Sequence, residues 1–262
     1  ARKVWIFNVG DIKPAEKEIS FSMDLAWDVA KWAPQNASRY IEQWASETFG
    51  KEYASDIARI QATYYRLMAS GKDSHVWFVD YSEEEIKGRI REWRMIADRA
   101  EVLEKRIPDA LKAAFFELIL YPVKGAQLLN EYQLMSRLSL WNAGRGAEEE
   151  ALQCGKRTKE MYDALNEWTR RYNEQLLDGK WNHFFNWVPY HWYYAKGMAA
   201  PACDEAMLDA IRSFPVQGMV DEAKAVSAAG AEIVSPTDGS VPIWIKARTP
   251  VRNFSKAPKD NV

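Results

Sequence analysis

Cysteine is scarce in this chain: Cys154 and Cys203 are the only two in 262 residues. Two thiols so far apart say little about redox compartment and match no metal motif. Histidine is nearly as rare, with three residues. His183 and His191 lie eight apart with no third ligand in a recognisable pattern, so no metal centre is expected. His75 and His191 carry no further signal. Neither sign of charge dominates: the formal charge is −2, the pI is near 6.1, and no basic block gives a footprint for nucleic acid. No apolar run is long enough to span a bilayer, since Leu118-Ile119-Leu120-Tyr121 stops at Pro122. Initiator methionine and signal peptide are both missing, which suits a truncated piece of a larger protein. There is no internal repeat and no long low-complexity tract.

What is present is globular material, 47% hydrophobic, with an excess of aromatics: 12 Trp and 12 Tyr. Indoles stack on the apolar faces of pyranose rings, so Trp-rich chains often bind sugars; large helices also use Trp in packing faces. The first apolar run, Val4-Trp5-Ile6-Phe7, is short and bounded by Gly and Pro. It reads as a strand buried on both faces, as in parallel sheets. It feeds a loop, Asn8 to Glu16, carrying an amide, two carboxylates and an ammonium. Ligands bind where such strands end. No second parallel strand follows convincingly, so the βα unit implies a larger sheet elsewhere.

After the loop, Phe21, Leu25, Val29 and Trp32 recur at helical spacing. Asn36 or Ser38 can cap a helix carrying Tyr40, Ile41 and Trp44, closed by Gly50. Ile57, Ile60, Tyr64 and Leu67 define the next, which ends at Gly71. Ser82-Glu83-Glu84-Glu85 is a capping box. It opens a stripe of Ile86, Ile90, Trp93, Ala97, Ala100 and Leu103 that stops before Pro108. Leu111 to Leu120 is a shorter apolar segment, and Leu128 to Leu138 continues helically to Gly144. Met161, Leu165, Trp168 and Tyr172 mark the last long helix. Trp93, Trp168, Leu103 and Met135 are the expected core. The charge clusters Glu83–Glu85 and Glu148–Glu150 sit at helix starts, where anions are favourable, and need no function. Short links between five or six helices predict an antiparallel bundle. The expected fold is therefore mainly α. A βα unit occupies 1–35, a helical bundle 36–200, and a linker with the start of a β domain 201–262. A short helix is expected at 204–214, and Val241 to Arg248 could open the β domain.

Three segments resemble glycoside hydrolase family 115: Val4 to Ser22 with Met23 to Trp27, Leu120 to Lys124, and Gly179 to His183. The resemblance implies the last βα unit of a (β/α) barrel, a helical domain, and a C-terminal β domain. It implies an α-glucuronidase, removing glucuronic acid or its 4-O-methyl form from xylan branches with inversion. The paired carboxylates of that chemistry would belong to earlier barrel strands, so no catalytic residue is assigned in this chain. Asn8, Asp11 and Lys13 are the candidate substrate-binding residues. Asn8 suits either an amide contact to a sugar or plain turn chemistry. Asp11 and Lys13 suit the pocket mouth, a mutual salt bridge or a loop-stabilising Asx turn. Glu16 is better placed to favour the following helix N-terminus. His183 is expected as a buried hydrogen-bonding anchor rather than an acid or base. Glucuronoxylan or its oligosaccharides are the expected partners, with no cofactor, no nucleic acid and no membrane. The resemblance further suggests a secreted or periplasmic parent, homodimeric when complete. Two other readings stay open: a helical carbohydrate-binding module and a helical interaction scaffold.

Overall fold

The computed structural model describes residues 3–9, 12–71, 76, 79–185 and 202–213. Eight α-helices are present among them: α1 (Glu16–Trp27), α2 (Pro34–Phe49), α3 (Lys51–Ala69), α4 (Glu83–Glu104), α5 (Asp109–Phe115), α6 (Tyr121–Gly144), α7 (Glu148–Arg170) and α8 (Glu205–Ser213). Two π-helical turns interrupt the α register, Phe116–Leu120 between α5 and α6 and Arg171–Gln175 after α7. No described residue is in a strand, and no described helix is long and apolar enough to cross a membrane. The short helix expected at 204–214 is present as α8, and the β domain expected to open at Val241 to Arg248 lies outside the described residues.

Val4–Phe7, expected as a strand, is neither helix nor paired strand, and Ile6 is 89% exposed. A strand needs a neighbour to take its backbone donors and acceptors, and none stands beside it among the described residues. Trp5 and Phe7 instead meet edge to face at 5.2 Å.

Helix boundaries follow local chemistry. α2 starts earlier than Asn36, because Pro34 occupies the first turn, where its missing N–H costs nothing. Gly50, at φ +110°, forms the joint between α2 and α3. The capping box at α4 is fully made: Glu85 N–H donates to Ser82 Oγ at 3.3 Å, and Ser82 N–H donates to Glu85 Oε2 at 2.8 Å. Tyr121 N–H donates to Phe116 O, five residues back, and Pro122 then offers no donor to restore the register behind it.

The chain divides into two compact units, residues 1–134 with 159–199, and residues 135–158 with 200–262. The cuts fall inside α6, inside α7 and between residues 199 and 200. In the first unit, Ile57, Ile60, Leu67, Trp93, Ile96, Leu103, Phe115 and Tyr172 form one buried cluster. Trp93 and Leu103 are buried as expected, whereas Trp168 and Met135 are only half-buried. In the second unit, α8 packs Leu208 with Ala143, Ala151 and Cys203. Cys203 N–H donates to Ser139 Oγ at 2.9 Å, and Ser139 Oγ donates to Ala151 O at 2.7 Å. A Cβ at Gly155 would stand 2.1 Å from Cys203 O, so only glycine permits this approach.

Candidate functional site

The loop before α1 turns tightly, with Ala15 N–H donating to Ile12 O at 2.7 Å. Glu16 then takes the first position of α1, where the helix N-terminus favours a carboxylate. Lys13 Nζ donates to the carboxylates of Glu16 and, at 2.6 Å, of Glu117, 104 residues further along. Glu117 sits in the π-turn before α6 and is 7% exposed. Tyr172 Oη donates to the same Glu117 oxygen at 3.4 Å, and the ammonium of Lys13 lies 5.1 Å from the centre of the Trp181 ring. Burial opposes the charge on Lys13, but its two carboxylate partners outweigh that cost and hold its pKa above the ordinary lysine range. Burial, followed by the field of Glu117, drives the Tyr172 phenol far above its usual value.

Aromatic rings floor the cluster. Tyr121 stacks on Phe185 at 5.1 Å and lies 4.6 Å from Tyr172, while Trp168 Nε1 donates to Tyr121 O at 3.2 Å. Asn173 clamps the end of the described segment, donating to Phe185 O at 2.6 Å and accepting from Phe185 N–H at 2.9 Å. A cavity of about 190 Å³ opens beside Pro14, Tyr64, Tyr121 and Phe185.

One turn along α1, Lys17 is 5% exposed and donates to Gln61 Oε1 at 2.7 Å. It pairs with Glu18 at 3.1 Å and lies 5.0 Å from the Tyr65 ring centre. Burial pulls its pKa below the ordinary lysine range, against the pull of Glu18. Tyr65 Oη donates to Glu18. Lys17, Phe21, Tyr40 and Tyr65 line a cavity of about 300 Å³.

The residues singled out from sequence meet different fates. Lys13 is central to the cluster. Asn8 is exposed, and Asp11 lies outside the described residues. His183 is not the buried anchor expected: it is exposed at φ +64°, with its N–H taken by Asn182 Oδ1 at 2.9 Å. Trp181 is the member of that segment that turns inward and packs against the core. Glu117, Lys17 and Tyr172 carried no site signal, because each sits in a stretch that reads as ordinary helix. The three segments quoted above nonetheless meet in one cluster: Lys13 from the first bonds Glu117, Tyr121 from the second packs on Tyr172, and Trp181 from the third faces the Lys13 ammonium. Among the described residues no group of His, Cys, Asp and Glu is arranged to hold a metal ion.

The geometry defines a helical assembly with a polar cluster clamped between its N-terminal loop and its core. A model of Glycosyl hydrolase family 115 matches residues 1–75. A solved structure described as a novel family 115 4-O-methyl-α-glucuronidase with specificity for decorated arabinogalactans is similar at 26% identity, with a TM-score of 0.63. The similarity covers 77% of this chain and 28% of that enzyme. No curated protein matches.

Proposed function

We propose that the chain is part of an inverting α-glucuronidase that removes glucuronic acid, or its 4-O-methyl form, α-1,2-linked to xylan. The carrying observation is that the family 115 match over residues 1–75 coincides with similarity across 77% of the chain to a 4-O-methyl-α-glucuronidase. In this reading residues 1–35 close a catalytic barrel, 36–200 form the helical domain, and 201–262 begin a β domain. Glucuronoxylan or its oligosaccharides are the partners, no cofactor is needed, and the parent is a secreted or periplasmic enzyme that pairs as a homodimer. Inversion requires an acid and a base carboxylate on opposite sides of the sugar, with room for water between them. Glu16 and Glu117 are both committed to Lys13, which suits holding the loop rather than proton transfer. In this reading the catalytic pair belongs to earlier barrel strands. Asn8, Asp11 and Lys13 border the sugar, with Asn8 the most direct contact. Decorated arabinogalactan is the second substrate reading, favoured by the stated specificity of the similar enzyme.

The test is an assay of the intact enzyme that carries this chain, on glucuronoxylan and decorated arabinogalactan oligosaccharides, with the released anomer followed by NMR. Release of glucuronate as the inverted anomer is expected, and no release from either substrate would refute the reading. The 262-residue chain alone is expected to be inactive. Turnover by it would place the acid and base within these residues after all.

A further inference from the structure

We infer that Glu117 is a positioning residue, locking the turn at residues 12–15 onto the helical core through Lys13; its catalytic consequence rests on the reading that this turn borders the sugar site. Three observations converge on it. Glu117 is nine-tenths buried yet ionisable, in a stretch whose other members are apolar, Phe116, Leu118, Ile119 and Leu120. Its carboxylate takes hydrogen bonds from both the loop, through Lys13 at 2.6 Å, and the core, through Tyr172 at 3.4 Å. It also stands in a π-turn, and a register break of this kind is a recurrent device for aiming a side chain at a functional place. A solvent-facing ion pair would stabilise little. A buried carboxylate with one loop partner and one core partner instead transmits the position of the core to the loop. Trp181 closes the arrangement, packing partly buried against the core while its ring faces the Lys13 ammonium. Glu16 shares Lys13 from the start of α1, so the ammonium joins loop, helix and core at one point.

Glu117→Gln keeps the shape and an acceptor for Tyr172 but removes the charge that holds Lys13. Lys13→Met cuts the same link from its half-exposed end, where the fold is less at risk. In the 262-residue chain, both variants should raise amide hydrogen exchange at Ala15, whose N–H is held by Ile12 O, tenfold or more while exchange in α4 stays unchanged. In the intact enzyme each should lower kcat more than it raises KM, and the double variant should lose no more than either single one. Wild-type exchange at Ala15 in Lys13→Met overturns the inference, whatever Glu117→Gln does. So do kinetic losses that simply add. An intact enzyme with no activity on glucuronylated sugars refutes the proposed function instead, and the exchange experiment still decides the clamp.

Discussion

At the scale of single residues, Trp93 shows what periodicity alone can find. It recurs in phase with Ile86, Ile90 and Ala97, and it is 1% exposed, with the Tyr64 ring 5.7 Å away edge to face. Trp93→Ala removes a buried indole and leaves a cavity that rigid helices fill poorly. The expected loss is about 3–5 kcal/mol, read from urea unfolding. Lys13 was also legible, as an ammonium in a loop after a strand-like run. Its main partner was not. Glu117 lies 104 residues away in a segment that reads as an apolar stripe, and no local pattern announces a long-range carboxylate. Asn8 is legible as a polar residue at the mouth of the loop, and it is exposed here. Asn8→Ala in the intact enzyme should therefore leave the melting temperature in place. It should also lower kcat/KM tenfold or more, ~1.4 kcal/mol of transition-state binding. A variant that melts early but turns over normally would mark Asn8 as a turn residue.

At the scale of elements, the strongest local signals gave the surest boundaries. The Ser82 to Glu85 box starts α4 as written, because its two hydrogen bonds are made by residues three apart and need no tertiary help. Ser82→Ala should cost about 1 kcal/mol in denaturant titrations. Glu85 adds a pH dependence whose sign is fixed. Backbone and hydroxyl donors from Ser82 hold its carboxyl below the ordinary glutamate range. Its contribution is thus present above that range and fades as pH falls through the lowered pKa. The difference between wild type and Glu85→Ala should shrink on acidification, and a difference that grows instead would contradict the cap. The start of α2 was less legible, since Asn36 and Ser38 are good caps but Pro34 pre-empts them. Pro122 marks a break at the first π-turn, while the second, Arg171–Gln175, has no signal, because a single extra residue in a helical register leaves the apolar spacing nearly intact. His183 was misread for a related reason. The segment's aromatic character pointed inward, yet the chain turns through φ +64° there and sends Trp181 in and His183 out.

At the scale of the whole molecule, helical class was readable and the fate of the first residues was not. Val4–Phe7 has the composition of a buried strand, but composition cannot supply the neighbouring strands that bury it. The outcome is a run of uncovered side chains on the segment that precedes and includes α1: Val4, Ile6, Ile12, Met23 and Trp27, the last 93% exposed. Those side chains also govern how the chain behaves as a colloid. With a net charge of −2, electrostatic repulsion between copies is weak at neutral pH and nearly vanishes near the pI of about 6.1. Uncovered apolar surface then sets the second virial coefficient, which should be negative and should fall further as the solution approaches the pI. Light scattering against concentration reads it directly, and Trp27→Ser with Ile6→Ser should shift it upward without moving the melting temperature.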